Sequence, residues 1–348
     1  MSTRQFFTLA AVVVLAFGAL VGWRAGDASA GRTGSNVKSS PVSVSTQAGV
    51  VAVTTPTTPA VDLPGYGKPP IHLGDMNTPE QFILGALYQL ALAQRGYTVI
   101  PNPNIGPPAV RAAAMQQGAL DIYPDYLDQW NSQVAHLHSR YDTLGASYGA
   151  GNAYAETHGY ELLRPTPASD TSAIAVTTTY AEQHDVHSIS DLARGPRIDI
   201  GVPLDLRTGS IGLLALSNTY GLDRPHPTTT LIGLEYQTLN SGHAQAAYVT
   251  STDPELAGPE YKVLRDPKHF FGFGNIVPVT TPAVLADEGP VFRKTINRVD
   301  AVLTTRALRG LNTEYLVQGR KPAVIAQQFL QGNGILPPTI FKPVGSAG

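Results

Sequence analysis

From Ile71 onward the chain alternates short apolar runs with amphipathic stretches, most of them closed by glycine. A chain written this way folds as a helix-covered sheet with largely parallel strands. Residues 71–74, Ile-His-Leu-Gly, predict a strand. Thr78 then stands where a helix cap belongs, Pro79 at the first helical position and Gln81 where a capping box would close. Ile83, Leu84, Leu87, Leu90 and Ala91 share one helical face, and Gly96 ends it. A strand at 97–100, a helix at 109–117 stopped by Gly118 and a strand at 119–123 complete a first unit. A second unit follows: strand 174–177, a short helix near 190–193, strand 198–202, helix 208–220 stopped by Gly221, and strands 229–232 and 246–250. The apolar extended segment 275–279 reads as the chain returning to the first unit, and helical patterns near 290–303, 313–318 and 322–330 close the body. The expectation is an α/β body of two lobes with a cleft and hinge: residues 71–172 with 275–345 form lobe 1, and the inserted residues 173–274 form lobe 2.

Ahead of that body, residues 1–30 carry Arg4, an uncharged apolar run from Phe6 to Trp23, and Ala28-Ser29-Ala30. Those are the parts of a secretory signal, and an uncleaved membrane anchor is the competing reading because the run nearly matches a bilayer span. Either way the body is expected outside the cytoplasm. In residues 31–70, Ser, Thr, Pro and Gly fill 22 of 40 positions, so the segment buries too little apolar surface to offset its ordering entropy and reads as a flexible spacer. Lys and Arg number 24 against 26 Asp and Glu, a net charge of −2; with no basic surplus, nucleic acid is excluded as an expected partner. The chain has no Cys, which excludes disulfides, thiolate metal sites, thiol catalysis and the acylated cysteine of a lipoprotein. The close histidine pairs 136/138 and 184/187 lack metal-ligand spacing, and Gly209-Ser210 fails the spacing of a nucleophile elbow. No catalytic constellation, metal or cofactor is called for.

Several segments in order, among them LGDMNTPEQFILGALYQLALAQRGYTV (73–99), AAMQQGALDIYPDYLDQW (113–130), PLDLRTGSIGLLALSNTYGL (203–222), AAYVTST (246–252), YKVLRDPKHFFGFGNIVPV (261–279) and LNTEYLVQGRKPAVIAQQFLQGNG (311–334), carry a family resemblance. Together they resemble the glycine betaine/choline substrate-binding proteins of ABC importers, which have the two-lobed type II periplasmic-binding fold. The resemblance implies a monomeric, non-enzymatic protein that captures a small ligand between its lobes and delivers it to a membrane permease. It also implies site residues: Tyr126 and Tyr248 as rings that hold a trimethylammonium by cation–π attraction, and Arg207 as a carboxylate donor.

The chain departs from the family pattern at Met76, where many members have Lys, at Ser172 and Gly274, where they have Tyr, and at Leu127-Asp128-Gln129, where they have Thr-Gly-Thr. Asp75, Asp125 and Asp128 are candidates to meet a cation, Gln129 to act from lobe 1, and Trp130, Phe271 and Phe273 to replace missing rings. Two readings of the ligand stay open, a betaine- or choline-like osmolyte and another small polar or aromatic molecule. Bland readings stand beside the site assignments: Tyr126 and Tyr248 as packed strand residues, Asp75 as a local cap. A membrane-tethered sensor and an enzyme on the same scaffold are the alternatives from other functional classes.

Overall fold

The computed structural model describes residues 63–338 apart from positions 196 and 224. The expected signal segment and most of the expected spacer lie outside the described residues. The end of that spacer, 63–70, is not free: the Gly65 N–H donates to Arg95 O at 2.9 Å and Lys68 Nζ to Asp287 O. Among the described residues no helix is long and apolar enough to cross a membrane.

The helix Pro79–Ala93 starts on Pro79 with Glu80 in its first turn, and it buries Ile83, Leu84, Leu87, Tyr88 and Ala91. Thr78 has the extended backbone of a cap, yet its hydroxyl makes no cap bond; Gln81 is fully buried rather than folded back over the helix start. Gly96, at φ +86°, turns the chain out of the helix through a region that side chains disfavour. The buried face meets Phe292 and Ile296 of Pro290–Asp300 and Ile325 and Leu330 of Pro322–Gly332 in one apolar core.

Three sheets organise the described residues. Strand β1 (Ile71–Gly74) runs parallel to β2 (Val99–Asn102). Strand β3 (Tyr123–Tyr126) and the two-residue β4 (Glu161–Leu162) flank the returning strand β10 (Ile276–Thr280), both antiparallel to it. The third sheet holds β5 (Ser172–Thr177), β6 (Asp199–Val202), β7 (His226–Thr229), β8 (Ala246–Thr250) and β9 (Tyr261–Val263) in the order β7-β6-β8-β5-β9. There β6 is parallel to β7 and β8, while β5 is antiparallel to β8 and β9. The five-stranded sheet is the centre of one lobe, with Ile174, Ile200, Leu216 and Tyr248 in its core; the other two sheets and the C-terminal helices make the other lobe.

Several elements differ from expectation. The strand expected at 119–123 is β3 at 123–126, because its partner β10 sets the register, while Ile122 forms an isolated parallel bridge to Leu73. The strand expected at 229–232 is β7, three residues earlier, and leaves Leu231 and Ile232 exposed. The helix expected from 208 begins at Leu213, since Gly209 at φ +94° and an extended Gly212 interrupt it. Leu144–Thr157 is helical although its Gly- and Ala-rich sequence has little apolar periodicity; Thr143 Oγ1 caps it by accepting from the Ala146 N–H at 3.1 Å.

The chain crosses between lobes twice, and the crossings run side by side. Asp170 N–H donates to Gly274 O at 2.8 Å, Thr166 N–H to Ile276 O at 2.9 Å, and Ser169 and Asn275 form an antiparallel bridge. Further contacts join the lobes. From helix Thr305–Asn312, Arg309 Nε donates to Ser251 O at 2.7 Å and Asn312 Nδ2 to Thr252 O at 3.1 Å. Elsewhere, Arg140 donates to Ser210 O at 3.1 Å and lies over the Phe270 ring at 4.5 Å.

Candidate functional site

The end of β3 is built around a buried ion pair. Asp125 is fully buried, and Arg111 of helix Pro108–Gln116 donates to it at 3.1 Å while lying 5.3 Å from the Tyr123 ring centroid. Burial lifts the Asp125 carboxyl above the ordinary range in spite of Arg111. Tyr126 Oη donates to Glu80 at 2.9 Å, and Asn312 donates to the other oxygen of Glu80 at 2.9 Å. Asn312 also holds Thr252 O, and Thr252 Oγ1 donates to Asp170 at 2.9 Å. One polar chain therefore runs from Tyr126 through Glu80, Asn312 and Thr252 to Asp170 at the first crossing.

Where that chain ends, a cavity of about 730 Å³ opens between the lobes. Asp128 and Gln129 reach it from the turn after β3, Asp170 and Ser172 from the crossing, and Phe271 and Phe273 from the returning segment. Burial pushes Asp128 up to about 6, with Asp125 adding to the effect, and Asp170 up to about 7, with Glu80 adding to it. A second hollow of about 470 Å³ shares Ser172 and Thr250 with the first and lies at the carboxyl ends of β6, β7 and β8. Ligands of open α/β sheets bind at such strand ends. Tyr248 lines it; its ring meets Phe271 edge-on, with centroids 5.7 Å apart, and its buried hydroxyl has no hydrogen-bond partner among the described residues. A desolvated phenol with nothing to bond is costly unless something else fills the need.

A sequence profile described as the substrate-binding domain of ABC-type glycine betaine transport systems matches residues 69–332. The chain belongs to this family. A glycine-betaine-binding protein of Pseudomonas aeruginosa is 28% identical over 76% of this chain and 88% of its own length. The glycine betaine-binding protein YehZ of Escherichia coli K12 is 24% identical over 79% of this chain and 94% of its own. A crystal structure of a glycine betaine/carnitine/choline ABC transporter protein superposes with a TM-score of 0.71 at 23% identity, covering 77% of this chain and 99% of that one. The fold is thus that of the two-lobed periplasmic binding proteins, and the cleft described above lies between the two lobes.

The structure distributes the residues singled out in the sequence over several places. Asp128, Gln129 and Ser172 line the larger cavity, and Tyr248 and Ser172 the smaller hollow. Tyr126 lines neither; its ring packs in the core of lobe 1 because its hydroxyl is drawn to Glu80. Arg207 lines neither. The interrupted helix start leaves it after the short turn Leu204–Leu206, and its guanidinium goes to Thr229 Oγ1. Asp75 shapes a loop by accepting the N–H groups of Asn77 at 2.8 Å and Asn104 at 3.2 Å, and Met76 Sδ accepts from Arg111 at 3.3 Å. Trp130 is fully buried against Tyr154 and Tyr160, with Nε1 donating to Gly151 O, so it is not a wall of the cleft.

Gly274 has a steric cause. A Cβ there would lie 1.9 Å from Asp170 O, so no side chain fits where the crossings touch. Phe271 and Phe273, two residues apart, reach the cavity from either side of Gly272. The site residues that sequence reasoning missed are Asp170 and Glu80. The available signal was a carboxylate at 170, immediately before the strand of the second lobe and beside the departure at Ser172.

Proposed function

We propose that this chain captures a quaternary ammonium compound in the cleft between its lobes and presents it to the permease of an ABC transporter. The observation that carries this reading is one cavity lined both by the rings of Phe271 and Phe273 and by the carboxylates of Asp128 and Asp170. A trimethylammonium donates no strong hydrogen bond, so it selects aromatic faces, each contributing roughly 0.5–2 kcal/mol depending on desolvation, and carboxylates for countercharge. Tyr248 on the second lobe lines the adjoining hollow and meets the Phe271 ring edge-on, with Gln129 and Ser172 as polar contacts to the rest of the ligand. A ligand shifts the lobes toward a closed form only through its differential affinity for that form. Contacts from Asp128 and Gln129 on one lobe and Tyr248 and Ser172 on the other meet that requirement. Residues 1–30 serve as the export signal that places the protein outside the cytoplasm, where it acts as a monomer, without catalysis and without nucleic acid.

A thermal-shift series near pH 8, above the values of about 6 and about 7 to which burial pushes Asp128 and Asp170, tests the reading. Choline, glycine betaine and carnitine are compared with sucrose and glutamine. A quaternary amine at a hundred times its dissociation constant adds about 2.7 kcal/mol, which raises the melting temperature by a few degrees. A shift from at least one quaternary amine and none from sucrose or glutamine is expected. The opposite pattern removes the proposal.

A further inference from the structure

We infer that the ligand carries a net positive charge, with Asp170 as its main countercharge and Asp128 beside it, and that Arg207 takes no part in holding it. The inference rests on the proposed capture of a quaternary amine and narrows it, from quaternary amines in general to those without a compensating carboxylate.

The charge on the walls carries the argument. Asp128 and Asp170 line the larger cavity; Asp205, Glu235, Asp253 and Glu255 line the smaller. Against these six carboxylates, the lining contains one guanidinium, Arg140, together with His138 and His269 at the larger cavity. Arg140 is already engaged across the lobes, to Ser210 O and over Phe270. Of the other nearby cations, Arg111 pairs with Asp125, Arg309 donates to the carbonyls of Ser251 and Leu256, and Arg207, which lines neither cavity, donates to Thr229 while its buried Nε has no hydrogen-bond partner among the described residues. Among the described residues no Lys, Arg or His forms an ion pair with Asp128, Asp170 or Glu80.

Low-dielectric walls on which negative charge predominates concentrate their field in the cleft, so a cation gains and an anionic end loses. A zwitterion brought here turns its carboxylate toward carboxylates that no ion pair compensates, and the one guanidinium on the walls, Arg140, is already held across the lobes; such a mismatch discriminates as an attractive contact does. Burial disfavours the ionised form of Asp128 and Asp170, and a monocation beside them favours it.

The test is titration calorimetry near pH 8 on the whole chain and on Asp170→Asn. The probes are choline, its uncharged carbon isostere 3,3-dimethylbutan-1-ol, and glycine betaine. Asn keeps an oxygen for Thr252 Oγ1, so the crossing retains its bond. Choline is expected to bind about tenfold or more tighter than either the isostere or glycine betaine. Asp170→Asn should weaken choline by about tenfold and leave the isostere within about threefold. Glycine betaine binding as tightly as choline, or an Asp170→Asn variant that binds choline unchanged, overturns the inference and leaves quaternary-amine capture standing. Failure of choline, glycine betaine and carnitine alike to bind the wild-type chain removes the capture reading itself, and the inference with it.

Discussion

Replacing Arg111 by methionine is expected to cost about 3–5 kcal/mol of folding free energy, the penalty for stranding one partner of a buried ion pair. Arg111 is 3% exposed and Asp125 fully buried, so water cannot take over when the guanidinium is gone. What remains to the carboxylate is the Tyr126 N–H at 2.8 Å and the Tyr123 hydroxyl. Burial already raises Asp125, and loss of the opposing positive charge raises it further, so the variant must either bury an uncompensated charge or fold with Asp125 protonated. Methionine preserves much of the apolar stem beside Met76 and Tyr123, which separates the charge effect from a cavity. Urea unfolding at neutral pH reads the loss directly. The double variant Arg111→Met, Asp125→Asn should recover a large part of it, because removing both charges of a buried pair is far cheaper than removing one. A single variant within about 1 kcal/mol of wild type contradicts this account of the β3 end.

The second large effect belongs to the crossing. Gly274→Ala places a Cβ 1.9 Å from Asp170 O and 2.7 Å from its carbonyl carbon, distances at which backbone has to move. The movement separates the two crossing segments, strains the Asp170 N–H···O Gly274 bond and displaces the Asp170 carboxylate from the cavity wall. Overpacking of this kind costs about 1–3 kcal/mol, and backbone against backbone belongs at the upper end. Both the melting temperature and choline affinity should fall, since one substitution disturbs the hinge and the countercharge together. Gly85→Ala, on the helix Pro79–Ala93 with open space around it, is the matched control and should be neutral or stabilising by up to about 1 kcal/mol. Equal behaviour of the two alanines would show that the crossings do not pack as described.

What could be read from the chain in advance follows the range of the interactions involved. The helix Pro79–Ala93 was legible because its apolar spacing, its Pro79 start and its Gly96 stop are local. The strands near 123 and 226 were misplaced by a few residues because their ends are set by partners distant in sequence, β10 in the first case and β6 in the second. Tyr126 was visible as an aromatic at a strand end, but the direction of its ring is set by Glu80, 46 residues earlier. Arg207 looked like a helix-start residue until Gly209 and Gly212 delayed the helix to Leu213. Asp170 was hidden for the same reason that makes it useful: its environment is assembled from Glu80, Asn312 and Thr252, three segments that meet only in the folded chain. The absence of a ring at 274 reads in the sequence as a missing wall of an aromatic box, whereas in the fold it is the condition for two backbone segments to touch.

A crystal structure of the chain with the quaternary amine that gives the largest thermal shift tests the central claim most directly. The ammonium is predicted in the cavity between the lobes, within about 6 Å of the Phe271 or Phe273 ring centroid and facing the Asp170 carboxylate. An ammonium bound on an outer surface, or seated in the cleft on the Arg207 side with Asp170 turned away, would contradict it.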